Sequence, residues 1–477
     1  MPTPNTHYGA EYIKSVMANS IGKSIFFAGV GGVMMSSLAL LTKRAGYNVV
    51  GSDRSQTLTT EKLERAGIFV NYLHSSDNIN DSIGAFVYTV AISPDNPEYV
   101  EAQRRGIPCI SRADYLGYIM TEYKNRIGIA GMHGKSTVTS MCAQIFLSDS
   151  EEGGAPSPTV ILGADYKPMG GAYHIGENEN FIFEACEYMD SFLDFNPTVA
   201  VLLNAEMEHV DYFKSMEHIN SSFAKYASLT GKNGVCVANA DDENIMMSVA
   251  GYKGRLITLG INNPSDYTAK NIRVEDSRLR YDLVYHDRTV ADISLAICGL
   301  HNVYNSMAAA AASHACGVPF TNIERGLYSF VGAGRRMEYK GRAFGADIYD
   351  DYGHHPTEVA ATLRGACEMF PGRRIVCVFQ PHTYSRTASL IDSFKYSFDA
   401  AEMVILADIY AAREENIYGI SSKDLCDKIG ERARYGGSFG NCGIILQREL
   451  REGDVVVVMG AGDIYKIYSV LGLNEVK

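Results

Sequence analysis

Residues Ile127 to Thr137 read IGIAGMHGKST, and the fold of the chain is read outward from this run. An apolar stretch ends at Gly131, a second glycine follows at Gly134, and Lys135, Ser136 and Thr137 then open a helical pattern. A strand that turns straight into a helix aims the first N–H groups of the helix at the turn, which suits a phosphate. Lys135 is placed to neutralise the β- and γ-phosphates of a nucleoside triphosphate, and the Ser136 hydroxyl to hold Mg²⁺. Ile129 stands where a full phosphate loop has its first glycine, so the turn is a shortened one. A bare glycine turn is the bland alternative, and the strand-to-helix context favours a triphosphate site.

The same rhythm extends in both directions. Upstream, strands are expected at Ser24 to Gly29, Tyr47 to Asp53, Ala85 to Ile92 and Ile107 to Ile110, with a helix over Val33 to Ala45. Downstream of the turn, a helix over Lys135 to Leu147 gives way to a polar loop over Ser148 to Pro158. Strands follow at Phe181 to Ala185 and Thr198 to Asn204, and a close-packed helix runs from Gly299 to Ala315. Arg255 to Thr289 reads as irregular or β-rich connecting chain. A third cycle has strands at Asp347 to Tyr352, Arg374 to Gln380, Met403 to Tyr410 and Asp454 to Gly462. Strands alternating with helices make an α/β fold around mainly parallel sheets. Boundaries near 124 and 334 divide the 477 residues into 1–124, 125–334 and 335–477.

A net charge of −12 argues against nucleic-acid binding, which needs a basic face. The ten cysteines form no Cys-x-x-Cys pair and read as reduced thiols of a cytoplasmic protein. Met1 to Ser24 is polar, so no secretory leader is expected. Ile25 to Leu41 carries no charge, yet its glycines and serines favour strand, turn and helix over a membrane span, and no membrane insertion is expected.

Functional residues of open α/β sheets gather past the carboxyl ends of strands, and the polar clusters here do so. Gly29, Gly31 and Gly32, with Asp53 ending the next strand, resemble a dinucleotide fingerprint whose last glycine is replaced by Met34. Alone this turn does not separate a nicotinamide cofactor from a UDP-sugar. Glu184 and His209 each follow a strand and, with Ser136, form a candidate Mg²⁺ shell, although histidine is an unusual ligand for so hard a cation. Arg335 and Arg336 after Gly334 suit a γ-phosphate or acyl phosphate. Asp350 to Glu358 reads DDYGHHPTE, with two carboxylates and two imidazoles on one strand-end loop; a metal site is the alternative, and a ribose or substrate contact fits an ATP enzyme better. His382 and Arg386 suit a carboxylate, and Asn302 and Asn305 fit an adenine edge or, equally, buried capping amides.

Nine segments together resemble the Mur ligases. They begin at Gly29 (GVGG), Gly131 (GMHGKST), Glu184 (EACEYMDSFL), Asn204 (NAEMEHVD), Gly299 (GLHNVYN), Gly334 (GRR), Asp350 (DDYGHHPTEV), Gln380 (QPHTYSRT) and Met459 (MGAGDIYKI), in family order. The resemblance implies three domains: a Rossmann-like one for the UDP substrate, a central P-loop ATPase, and a Rossmann-like one receiving the amino acid. It implies ATP-dependent addition of L-alanine to UDP-N-acetylmuramate through an acyl phosphate, in peptidoglycan precursor synthesis and hence cell wall, cell shape and cell division. The alternative is a related ligase adding another amino acid or a peptide.

Carried over by position, Gly131, His133, Gly134, Lys135, Ser136, Thr137, Asn302, Asn305, Arg336 and Asp351 serve ATP, and Ser136, Glu184 and His209 serve Mg²⁺. Gly29, Gly31, Gly32, Asp53 and Arg386 serve the substrates. Lys135, Glu184, His209, Arg336, His354 and His382 form the catalytic set, with the base left open among His354, His355 and His382. A homodimer is compatible with the resemblance. Met132, Met34 and Thr383 depart from the family pattern, the last in the region expected to grip the amino acid's carboxylate.

Overall fold

The structure is a computed structural model, and it describes residues 8–89, 91–209, 212–276 and 278–473. Val90, Val210 and Asp211, which fall in segments quoted above, lie outside the described residues. Two compact units are present. One comprises the residues up to Ser265 with Ala308–Ile323, the other Asp266–Met307 with the residues from Glu324 onward.

The first unit opens with five parallel strands: β1 (Ser24–Ala28), β2 (Asn48–Ser52), β3 (Phe69–Asn71), β4 (Ile83–Tyr88) and β5 (Cys109–Ser111), in the order β3-β2-β1-β4-β5. The apolar run Ile25–Ala28 is fully buried because helices cover both faces of such a sheet. The second sheet of this unit takes in β6 (Asn125–Ala130), β7 (Thr159–Tyr166), β8 (Gly171–His174), β9 (Asn180–Glu184), β10 (Val199–Leu202), β11 (Val235–Asn239) and β12 (Arg255–Leu259). They lie in the order β12-β11-β10-β6-β9-β7-β8, with only β8 antiparallel to its neighbour. The glycine turn therefore leaves the middle of the sheet, flanked by the ends of β9 and β10.

The second unit holds an antiparallel meander, β13 (Tyr267–Glu275), β14 (Arg278–Tyr285) and β15 (Arg288–Leu295). Its main sheet is β16 (Glu338–Ala343), β17 (Ala346–Asp351), β18 (Ile375–Phe379), β19 (Met403–Ala407), β20 (Ala433–Gly437) and β21 (Val455–Met459). The order is β16-β17-β21-β18-β19-β20, parallel except for β16. The ends of β17, β21 and β18 lie side by side, so the segments after Asp351, Met459 and Phe379 converge.

One expectation needs correction, and one left open is decided. The helix after the glycine turn is Lys135–Glu151, so Ser148 to Glu151 belong to it rather than to a loop. Gly153, at φ 77, turns the chain, and Asp149 accepts the N–H of Ala155. The stretch from Arg255 to Thr289, expected as irregular or β-rich chain, is β-rich, with β12, β13, β14 and the start of β15 in it. In β14, RLRYDLVY, alternate residues are buried, and the polar half of that alternation masked the strand. Among the described residues no helix is long and apolar enough to cross a membrane, and the uncharged run from Ile25 is divided between β1 and helix Val33–Arg44.

Candidate active site

The turn after β6 is built on two glycines whose backbone an L side chain rarely adopts. Gly131 has φ 152, and a Cβ there would come within 2.9 Å of Leu203 Cβ; Gly134 has φ 86 and is the N-cap of helix Lys135–Glu151. A glycine cap has no side chain to satisfy the first helical N–H groups, which leaves Lys135, Ser136 and Thr137 facing the turn as an anion seat. Asn204 braces the turn from the end of β10. Its Oδ1 accepts the His133 N–H at 2.8 Å and its Nδ2 donates to the His133 carbonyl at 3.0 Å. The His133 N–H, expected at a phosphate, is thus given to Asn204, and the His133 ring meets Glu206.

Lys135 pairs with Glu187 at 2.9 Å, and Glu187 is 3.2 Å from His209 Nε2. Glu187 is only 1% exposed. Burial alone pulls the Lys135 ammonium down, but Glu187, with Cys186 and Glu184 behind it, outweighs that and raises it above its ordinary value. Burial likewise pushes Glu187 up, and Lys135 and His209 outweigh it, holding the carboxyl below the usual range. Both groups are therefore charged at neutral pH. Glu184, at the end of β9, accepts the Gly163 N–H at 2.8 Å through one oxygen. Met189, Asp190 and His209 all have left-handed backbone, at φ 54, 57 and 51. Such strain persists only where surrounding contacts over-determine it, as happens at functional sites.

At the first sheet, Gly29 has φ 75 and Gly31 donates its N–H to Asp53 Oδ2 at 2.8 Å. A Cβ at residue 31 would meet that oxygen at 2.8 Å, so the contact requires glycine. Gly32 caps helix Val33–Arg44 without a side-chain bond. Asp53 thus shapes the glycine turn itself.

In the second unit, Arg335, at φ 54, lies 3.3 Å from Asp350 and donates to the Gly460 carbonyl at 2.6 Å. Arg336 faces Glu358 at 3.7 Å and stacks over Tyr352. Asp351 accepts the Met337 and Gly353 N–H groups, and burial pushes its carboxyl up to about 6 against the pull of Arg336. Burial, helped by Arg336, pushes His301 down to about 4. Asn302 and Asn305 are buried. The Asn302 amide donates to the Cys298 carbonyl and accepts from Asn305.

His354 and His382 lie with ring centroids 5.8 Å apart, and Arg386 Nη1 donates to His382 Nδ1 at 3.0 Å. His355 is instead the N-cap of helix Pro356–Met369, accepting the Thr357 N–H. Thr383 caps helix Tyr384–Ser397 at φ 64, ψ 147, held by its N–H bond to the Tyr410 carbonyl. Glu414 accepts the Ser385 N–H at 2.9 Å. Sequence reasoning missed Glu187, Asn204 and Glu414. For Glu187 a signal existed: a buried lysine needs a counter-charge, and a carboxylate three residues beyond Glu184 is the nearest supply.

Known proteins match the chain almost throughout. The description "Mur ligase family, catalytic domain" covers residues 24–124, "Mur ligase middle domain" 129–313, and "Mur ligase, glutamate ligase domain" 335–462. A UDP-N-acetylmuramate–L-alanine ligase of Caldicellulosiruptor saccharolyticus is 42% identical over 459 residues, 95% of this chain and 99% of its own. One from Caldanaerobacter subterraneus subsp. tengcongensis is 41% identical over 93% of this chain and 96% of its own. Among solved structures, UDP-N-acetylmuramate-alanine ligase MurC of Thermotoga maritima aligns with TM-score 0.76 at 26% identity, covering 94% of this chain and 98% of that one. Three family descriptions in series, over sheets that place the glycine turn and the histidine–arginine segments at strand ends, establish that the chain belongs to the Mur ligase family.

Proposed function

We propose that the chain joins L-alanine to UDP-N-acetylmuramate at the expense of ATP, in the cytoplasmic synthesis of peptidoglycan precursors. The observation that carries the reading is Lys135, charged and paired with Glu187 behind an uncapped helix N-terminus, in a chain 42% identical to a ligase named for this reaction. Domain limits near 124 and 334 are supported by the breaks between the matched segments. A homodimer belongs to the same proposal.

A carboxylate does not release oxide to an amine, so it must first become an acyl phosphate whose leaving group is phosphate. Lys135 and the first N–H groups of helix Lys135–Glu151 would hold and neutralise the transferred phosphoryl group. The Ser136 hydroxyl and the Glu184 carboxylate are hard oxygen donors that fit Mg²⁺, which when bound would spread charge on the phosphates. His209 fits less well, since its Nε2 is engaged by Glu187. Arg386 and Thr383 would orient the amino acid's carboxylate, and Asp351, Asn302 and Asn305 the nucleoside.

Hydrogen bonds narrow the choice of base. His355 spends its Nδ1 on a helix cap, and His382 Nδ1 accepts from Arg386, which puts the neutral ring's proton on Nε2. His354 Nδ1 faces the Tyr352 carbonyl at 3.2 Å, so Nδ1 carries the proton and Nε2 keeps the lone pair that takes one from the ammonium. His354→Gln is therefore expected to lower kcat by roughly a hundredfold with little change in KM for ATP. Equal losses in both parameters, or none, would contradict the assignment.

The function is tested by ADP release from the purified protein with UDP-N-acetylmuramate and each amino acid in turn. Release is expected with L-alanine. Preference for another acceptor would move the assignment to a different member of the family, and release without an amino acid would reject ligation.

A further inference from the structure

The first sheet holds a buried polar cluster that the proposed mechanism does not use. Glu98, in the first turn of helix Pro97–Arg104, has a fully buried side chain. Its carboxylate accepts from Ser52 Oγ at 2.7 Å and from Asn78 Nδ2 at 2.6 Å, and it faces His74 Nδ1 at 2.7 Å. Three donors and the positive end of a helix capped by Asn96 offset the cost of burying the charge. Asn78 also donates to the Leu73 carbonyl, which locks the segment that carries His74.

A stability role accounts for a satisfied Glu98, but it does not account for the other side of His74. The imidazole is 17% exposed, and its Nε2 has no hydrogen-bond partner among the described residues. The ring also lies beside the glycine turn. His74 Nδ1 is 3.3 Å from Ser52 Oγ, and the Ser52 carbonyl accepts the Gly29 and Val30 N–H groups at 2.8 and 2.9 Å. This is the carboxyl end of parallel strands, where open α/β sheets take their ligands.

We propose that His74 is a specificity residue for the nucleotide half of the substrate, its Nε2 accepting a hydrogen bond from the uridine, with Glu98 as the positioning residue that fixes the ring. The proposal rests on the UDP-N-acetylmuramate reading above. The carboxylate accepts from the ring, so Nδ1 carries a proton, and in its neutral form the ring presents a lone pair at Nε2. Phosphate oxygens have no hydrogen to offer that lone pair. The polar hydrogens of UDP are the uracil N3–H and the ribose hydroxyls. Leu73, the preceding residue, keeps its side chain 75% exposed, an apolar surface suited to a base.

Calorimetric titration of the full chain with UDP, CDP and 2′-deoxy-UDP tests this. CDP lacks the N3 hydrogen and 2′-deoxy-UDP lacks one hydroxyl. The unaltered protein is expected to prefer UDP to at least one analogue, and His74→Ala to bind UDP about tenfold more weakly. Loss of the preference over CDP places the bond at N3, and loss of the preference over 2′-deoxy-UDP places it at the ribose. His74→Asn sets an amide at the Nδ1 position, so it keeps the donor to Glu98 while removing Nε2. It should reproduce the loss with ATP binding and thermal unfolding unchanged, a separation that a merely structural role would not give. Unaltered UDP affinity and preferences in both variants overturn the proposal alone. Failure of the unaltered protein to bind UDP or UDP-N-acetylmuramate overturns the substrate reading, and the proposal with it.

Discussion

Lys135→Ala is expected to reduce ADP release by about a thousandfold or more, since it removes a cation placed at the uncapped helix start where charge builds on the transferred phosphoryl group. Stability will also fall, because Glu187 is left almost fully buried without its ammonium partner. Breaking a buried pair from one side costs about 3–5 kcal/mol. The two losses are separable. Adding Glu187→Gln to Lys135→Ala removes the orphaned charge and should recover much of the urea midpoint without recovering any rate. Recovery of rate in the double variant would show that Lys135 serves the fold and not the chemistry.

Glu187→Gln alone should destabilise the chain by about 3 kcal/mol, read as a shift in the urea midpoint. The pH window follows from the two shifts. The Glu187 carboxyl is held below its ordinary value of 4.5, so its contribution is complete above that value and is lost as pH falls through the depressed one. The Lys135 ammonium is raised above 10.5, so its contribution is complete below that value and is lost as pH rises through the raised one. The gap between the unaltered protein and Glu187→Gln should therefore be widest between about pH 5 and 10 and close in stronger acid. A constant gap down to acid pH would mean that the carboxylate is not paired in solution.

Much of the fold was legible because parallel sheets covered on both faces advertise themselves. Ile25 to Ala28, Ile375 to Phe379 and Val455 to Met459 are unbroken apolar runs, and all are buried strands. The meander from Tyr267 to Leu295 was legible only as irregular or β-rich chain, because one face is partly solvated and arginines punctuate it. At the candidate site, the suspected residues could be placed after strands from the sequence. Their partners could not. Glu187, Asn204 and Glu414 look like ordinary surface residues until the chain is folded; the first two then brace Lys135 and His133, already suspected, and Glu414 holds Ser385, next to Arg386. The choice among three histidines shows the same limit, since the neighbours of their Nδ1 atoms are seen once the chain is folded.

The central claim is that a carboxylate oxygen of UDP-N-acetylmuramate attacks the terminal phosphorus of the nucleotide held at Gly131–Thr137. One turnover with substrate labelled in both carboxylate oxygens with heavy oxygen, followed by mass spectrometry of the released phosphate, tests it directly. One labelled oxygen should appear in inorganic phosphate and the other should stay in the amide. Label recovered in AMP, or phosphate free of label, would contradict the account.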